Sequence, residues 1–515
     1  MMIAVLKLER SAAPKRRYFV LNTLVHTPFG ALEGVPGEGT VRFLGVPFAQ
    51  KPLGDLRFRA PQPVEPWPDV RPAKGFAPDP MQDYRGLGPE CFSEDCLYLN
   101  IWVPDGLTVP APVMVWIPGG AFATGGSGAL APEGPTAYDC ERIARNTGCV
   151  LVSVSYRLNV FGFLNLSEFS PRFDDNVGMK DIIAALRWVH EAIGAFGGDR
   201  DNVTLFGESA GGCAISALLL VDEAVPYFHK AIIESNCFDS FYTVEEEREI
   251  CRLYLKFAGL DEGDAEGLLS LPYETLFQAG RALDQYVWEH YMGRCSFCPV
   301  VDGVFLKDFP TLADFTGLDK PVLVGSNRSE GNFQAAYTWP DGEKYAPLLL
   351  QRLSKERQEA LYACYPGLPE RAVFGEMLTD VMYTLPKLRF AERLSRGGNP
   401  VYVYRFDYYT AVLESLKLYA CHVAELLPLF EVATPNFRPL FAGSEEVVRE
   451  IGTRMHRYWG AFARSGSPSL QGLTEWKPYS EHSRSTLIID REDRLESDPE
   501  REVRLRYEGL ERLLI

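Results

Sequence analysis

Val203-Thr204-Leu205-Phe206-Gly207-Glu208-Ser209-Ala210-Gly211-Gly212 is the stretch whose reading decides the fold. A short apolar strand, Val203 to Phe206, runs into a helix that starts near Ala210, with a serine at the turn between them. In a chain with 45 glycines a bare G-x-S-x-G is a weak signal, and the flanking strand and helix make it specific. A serine on a sharp strand-to-helix turn needs small neighbours two residues away on either side, because strand and helix approach closely and the backbone is strained. Gly207 and Gly211 meet that need. The turn lifts the hydroxyl clear of the sheet and aims the Ala210 N–H, at the helix N-terminus, at the place where an oxyanion would form. The competing reading is an ordinary helix-capping serine.

Outward from this turn, the periodicity predicts strands alternating with helices. Tyr18 to Thr27, Thr40 to Pro47 and Leu97 to Val103 read as strands among Pro- and Gly-rich turns. The continuous apolar runs Val113 to Ile117 and Val150 to Ser155 suit parallel strands buried on both faces. A helix is expected over Met179 to Phe196. Strands follow at Ala231 to Glu234, Pro321 to Val324 and Val401 to Phe406, separated by long helical segments at 244–285 and 341–397. An amphipathic helix near Glu445 to Arg464, a strand Ser485 to Asp490 and a charged helix from about Pro499 close the chain. The pattern is that of an α/β fold, a mostly parallel central sheet flanked by helices, with large helical insertions.

Serine needs a base oriented by an acid, and in elbow hydrolases the order along the chain is serine, acid, histidine. His229 is too near the elbow, and His456 lies within a helix beside Tyr458 and Trp459. His422, in a polar connection after the strand Val401 to Phe406, fits best, with His290 and His482 left as alternatives. Glu330 follows directly on a strand, at the carboxyl end where open α/β sheets keep their sites, although a solvated loop glutamate would look the same. Ile117-Pro118-Gly119-Gly120-Ala121-Phe122 also follows a buried strand; such a Gly-rich turn exposes backbone N–H groups able to stabilise an oxyanion.

The 515 residues are 46% hydrophobic and 23% charged, which excludes wholesale disorder. A net charge of −17 repels phosphate backbones and argues against a nucleic-acid partner. No segment reaches the roughly 18 apolar residues of a membrane span, and Met1 to Leu6 is shorter than a signal-peptide core of about 7 to 15. The 11 cysteines are odd in number and scattered, unlike a disulfide framework, so a cytoplasmic location is expected. Cys295 and Cys298 form a lone C-x-x-C, a weak zinc signal beside incidental buried thiols.

Taken together, these stretches resemble the type-B carboxylesterase and cholinesterase-like family of α/β-hydrolases over nearly the whole chain. The similarity is carried by the elbow and by further blocks in order: Gly45-Val46-Pro47-Phe48-Ala49 with Arg57-Phe58, Glu94-Asp95-Cys96-Leu97-Tyr98-Leu99-Asn100, Tyr156-Arg157-Leu158, Phe161-Gly162-Phe163-Leu164 and Phe196-Gly197-Gly198-Asp199. The resemblance implies Ser209 as nucleophile, Glu330 as acid in a block like G-x-N-x-x-E-G, and His422 as base in one like H-x-x-E-L. It implies oxyanion donors at Gly120, Ala121 and Ala210, and a structural ion pair between Arg157 and Asp181. Two departures stand out: Pro118 and Ala121 occupy the ends of what usually reads His-Gly-Gly-Gly, a G-G-A variant associated with room for bulky alcohols. Cys96 matches a disulfide-bonded cysteine of secreted relatives, but Asp79, Pro80 and Met81 stand where its partner would be.

The expectation is therefore an α/β-hydrolase domain over 17–515 after an N-terminal extension, 1–16, with cap insertions at about 60–96, 240–300 and 335–420. It would hydrolyse small-molecule carboxylic esters through an acyl-enzyme, with no metal or cofactor, as a monomer or dimer. A histidine base predicts loss of hydrolysis with a midpoint around pH 6 to 7. The alternatives are a non-catalytic binding homologue, which characteristically lacks the nucleophile, and acyl transfer to or from amides, lactones or alcohols.

Overall fold

A computed structural model describes residues 18–19, 22–83, 91–108, 110–128, 138–237, 240–291, 293–351, 353–431 and 438–509. The expected extension at 1–16 lies outside the described residues. Eleven strands form the central sheet: β1 (Val35–Pro36), β2 (Thr40–Pro47), β3 (Tyr98–Pro104), β4 (Ala111–Ile117), β5 (Val150–Val154), β6 (Gly198–Glu208), β7 (Lys230–Glu234), β8 (Val322–Asn327), β9 (Val401–Phe406), β10 (Ser485–Ile489) and β11 (Arg494–Ser497). Their spatial order is β11-β10-β9-β8-β7-β6-β4-β5-β3-β2-β1. From β5 through β10 neighbours run parallel, as the apolar runs predicted. The flanks are antiparallel: β3 on β5, β2 on β3, β1 on β2 and, at the other edge, β11 on β10.

The continuous apolar runs are explained by cores on both faces of the sheet. Along β4, Val113, Val115 and Ile117 enter one buried cluster while Met114 and Trp116 enter the other. Leu205 and Phe206 of β6 divide the same way. With side chains alternating across the sheet, a strand covered on both sides has no polar face to show. β4 lies between β5 and β6, so the chain order reverses there, and the carboxyl ends of β4 and β6 flank the crevice where open α/β sheets bind ligands.

One of the flanking helices, α1 (Val177–Ala192), carries Asp181, whose carboxylate takes Arg157 Nε at 2.8 Å and Nη2 at 2.6 Å. Both side chains are buried, 3% and 0% exposed, so the two-pronged geometry has to offset the loss of water. The helical segments predicted at 244–285 and 341–397 resolve into several pieces, among them Val244–Phe257, Tyr273–His290, Arg371–Thr379 and Leu385–Arg396. The span 335–420, expected as insertion, also contains the central strand β9. A third buried cluster, with Trp339, Phe374, Tyr383 and Tyr507, joins those segments to the last described helix. Removing one partner of the buried ion pair leaves the other charge uncompensated. Asp181→Ala is expected to lower stability by about 3 to 5 kcal/mol, read from the denaturant midpoint.

Candidate active site

Ser209 sits between β6 and helix α2 (Ala210–Leu218) with φ 55° and ψ −122°, a backbone that non-glycine residues rarely adopt. Its hydroxyl does not cap the helix, which removes the capping alternative. The reason for the two glycines is visible atom by atom. A Cβ on Gly211 would stand 1.9 Å from the Ile117 carbonyl oxygen at the end of β4, and one on Gly207 2.7 Å from the same oxygen.

The Ser209 Oγ lies 2.9 Å from His422 Nε2, and His422 Nδ1 lies 2.8 Å from Glu330 Oε2. With the Glu330 oxygen as acceptor, Nδ1 of the neutral ring carries the proton and Nε2 turns its lone pair to the serine hydroxyl. Glu330, fully buried just past β8, also accepts the Asn327 N–H at 2.6 Å. The histidine loop is tied to the acid's turn by Ser329 N–H to Ala420 O at 2.9 Å and Asn327 Nδ2 to Cys421 O at 2.8 Å. Lys417, Tyr419 and Val423 in that loop all have positive φ. The other histidines lie elsewhere. His456 is buried against Leu429 O, His290 stacks on Tyr286, and His482 is exposed.

The Gly-rich turn packs against the elbow, a Cβ on Gly119 falling 3.1 Å from Ser209 Cβ. Gly120, Ala121 and Phe122 have φ of 118°, 56° and 57°. The turn is closed by Ala123 and Thr124 N–H groups on Gly120 O and anchored by Asn159 N–H on Phe122 O. The Pro118 carbonyl, just before the turn, accepts the Tyr156 hydroxyl at 2.7 Å.

Sequence reasoning passed over several neighbours. Glu208, inside the elbow motif, brings Oε1 to 3.3 Å from His422 Nε2. Glu425, three residues after His422, is held by Ser235 and by Asn327 Nδ2. Glu234 accepts Trp459 Nε1 at 2.7 Å. Burial pushes Glu208 well above the usual carboxyl range, Glu234 up to about 8 and Glu425 to about 7. Burial alone would lower the His422 pKa, but Glu208, Glu330 and Glu425 outweigh it and raise it from 6.5 to about 9. The Tyr383 ring, 5.1 Å from the imidazole, sits on a π-helical turn at Asp380–Thr384, and its hydroxyl accepts Gln334 Nε2 at 2.5 Å. Glu208 and Glu425 stood in quoted motifs; nothing in the sequence singles out Tyr383.

The chain matches the carboxylesterase family over residues 22–506. The chain belongs to that family. It is 35% identical over 496 residues to the para-nitrobenzyl esterase of Bacillus subtilis, covering 93% of this chain and 97% of that protein. It is 31% identical over 520 residues to mouse cholinesterase, with 92% and 83% covered. Among solved structures, a Geobacillus stearothermophilus carboxylesterase superposes with a TM-score of 0.82 at 32% identity, over 95% of this chain and 100% of that one. The protein is therefore a serine-type carboxylic ester hydrolase of the α/β-hydrolase fold. Among the esterase's described residues no helix is long and apolar enough to cross a membrane, and no group of three His, Cys, Asp or Glu is placed to hold a metal. The close approach at Gly211 sets a test of the elbow. Gly211→Ala is expected to abolish ester turnover while the far-UV circular dichroism of the sheet and outer helices is retained.

Proposed function

We propose that the esterase works through an acyl-enzyme on Ser209, with His422 as general base and Glu330 as the acid that orients it. The observation that carries this reading is the hydrogen-bonded line from the Ser209 hydroxyl through His422 to Glu330. His422 takes the serine proton as Oγ attacks the ester carbonyl, returns it to the departing alcohol, and then activates water against the acyl-enzyme. Glu330 fixes the ring and stabilises the imidazolium. The N–H groups of Gly120, Ala121 and Ala210 are the proposed oxyanion donors; the packing of the 119–120 turn on the elbow supports this placement.

The substrates proposed are small-molecule carboxylic esters, neutral or cationic ones above all, since a net charge of −17 disfavours an anionic group. The resemblance of the Gly119-Gly120-Ala121 turn to the G-G-A variant makes bulky alcohols the proposed leaving groups. The segments at about 60–96, 240–300 and 335–420, apart from the central strand β9, are the proposed cap. A reducing, cytoplasmic setting is supported by all eleven cysteines being thiols.

With p-nitrophenyl butyrate, Ser209→Ala is expected to lose roughly a millionfold in kcat. Wild-type turnover on such esters that survives the substitution would overturn the assignment.

The pH dependence follows from the carboxyls around the ring. Protonated His422 cannot act as base, so activity is lost as pH falls through its pKa. With that pKa raised, the acid limb of kcat/KM is expected above the ordinary histidine value of about 6.5 rather than at 6 to 7. Glu208→Gln removes one negative neighbour and is expected to move the limb to lower pH. A limb that stays put would show that Glu208 does not act on the imidazole.

A further inference from the structure

The C-x-x-C at Cys295 and Cys298 has no second set of ligands among the described residues, and two further cysteines, Cys213 and Cys237, meet the neighbouring Ser240. The Cys298 thiol folds back to the Cys295 carbonyl at 3.0 Å, and the Tyr242 hydroxyl donates to the same oxygen at 2.9 Å. The two thiols also interact directly. A hydrogen bond from Cys298 holds the Cys295 pKa below the usual thiol value, while burial pushes Cys298 well above it. One sulfur is thus the better anion and its neighbour keeps its proton, the division of labour of an attacking and a resolving thiol.

The pair is also connected to the catalytic helix. Cys295, only partly buried, has its sulfur 3.9 Å from Ser240 Oγ. The Ser240 carbonyl faces the Cys213 thiol at 3.7 Å, and the Cys213 N–H donates to Ser209 O at 2.9 Å. Ser240 in turn donates its N–H to Cys237 O at 3.1 Å, in the segment that follows β7.

We propose that Cys295 and Cys298 form a reversible dithiol–disulfide site, through which a peroxide or a small disulfide lowers ester turnover. With hydrogen peroxide, the Cys295 thiolate attacks one oxygen, the O–O bond breaks, and a sulfenic acid and one water result once the proton is transferred. Cys298 sulfur then attacks the sulfenic sulfur and displaces the second water. Two S–H bonds and one O–O bond are lost, one S–S and two O–H bonds form, and two electrons pass from sulfur to oxygen. With a small disulfide, two exchange steps release two small thiols. Closing the sulfurs to about 2.05 Å draws Cys298 from the Cys295 carbonyl and Cys295 from Ser240, so the wall of residues around Ser240 must shift.

The test uses the full chain, reduced, desalted and then treated with hydrogen peroxide or oxidised glutathione. Peptide mapping without reductant is expected to show the peptide carrying both cysteines short of two hydrogens. Turnover of p-nitrophenyl butyrate is expected to fall on the order of tenfold, as for a small displacement of reacting groups, and to recover with dithiothreitol. Cys298→Ser, or Cys298→Ala should the serine variant fold poorly, is expected to keep reduced-state turnover and lose the reversible response. Oxidised protein in which both cysteines still alkylate, a bond to Cys213 or Cys237 instead, or a Cys295–Cys298 bond with unchanged turnover would each overturn the proposal. Mapping needs no hydrolysis, so failure of the catalytic assignment would be seen separately.

Discussion

The approach of the Ile117 carbonyl to Gly207 and Gly211 is the contact on which the rest of the site depends. The end of β4 and the first turn of α2 are so close that no side chain fits between them. That proximity forces Ser209 into its unusual backbone, points the hydroxyl away from the helix axis, and brings the 119–120 turn against the elbow in the same step. Nucleophile and oxyanion turn are thus set by one packing event between neighbouring strands at the switch point of the sheet. Acid and base arrive separately, from β8 and from the loop after β9, and must meet the serine by side-chain reach and loop-to-loop hydrogen bonds.

The electrostatics beneath the site run against the ordinary cost of burying charge. Glu208, Glu234, Glu330 and Glu425 are all 2% exposed or less. Ionised carboxylates in such a space repel one another and forfeit hydration, and burial raises Glu208, Glu234 and Glu425 above the usual carboxyl range. Glu330 accepts a backbone N–H on one oxygen and the imidazole N–H on the other. The group around it favours the imidazolium. This helps the step in which the ring carries a proton and hinders the start of the cycle, when the ring must be neutral, so the carboxyl cluster sets the balance between the two.

How far the sequence could be read follows from how local each feature is. Elbow, β4, β6 and the long helix Glu445–Ser465 were legible because their signals lie within a dozen residues: a glycine pair at fixed spacing, an unbroken apolar run, a 3.6-residue stripe. Residue by residue, His422 could not be separated from His290 and His482, since the choice depends on which loop crosses to the serine, and only the resemblance to a known family resolved it. β11 was missed because an edge strand with exposed or half-exposed residues such as Arg494 and Glu496 has no hydrophobic pattern. Tyr383 was invisible for a different reason. It reaches the imidazole from a π-helical turn, and one extra residue in a helical turn leaves no mark on the amphipathic pattern.

Part of the backbone strain lies where the chemistry is, beside other positive-φ residues such as Asn176, Asp319 and Arg484 elsewhere in the fold. Ser209, Ala121, Phe122, Ser235, Tyr419 and Val423 have positive φ without being glycine, and all lie in the elbow, the Gly-rich turn, the segment after β7 or the histidine loop. Each such residue costs of order 1 to 3 kcal/mol and persists only where its surroundings over-determine it. Here the surroundings are the two-faced core, Phe122 packed on Phe163 at 4.5 Å, and Asn159 and Asn327 clamping neighbouring turns. The same argument explains why a shift in the wall around Ser240 would be felt at the nucleophile. A backbone held in a sparsely populated conformation by its neighbours has no nearby minimum in which to absorb the displacement, and the elbow shares Cys213 with that wall.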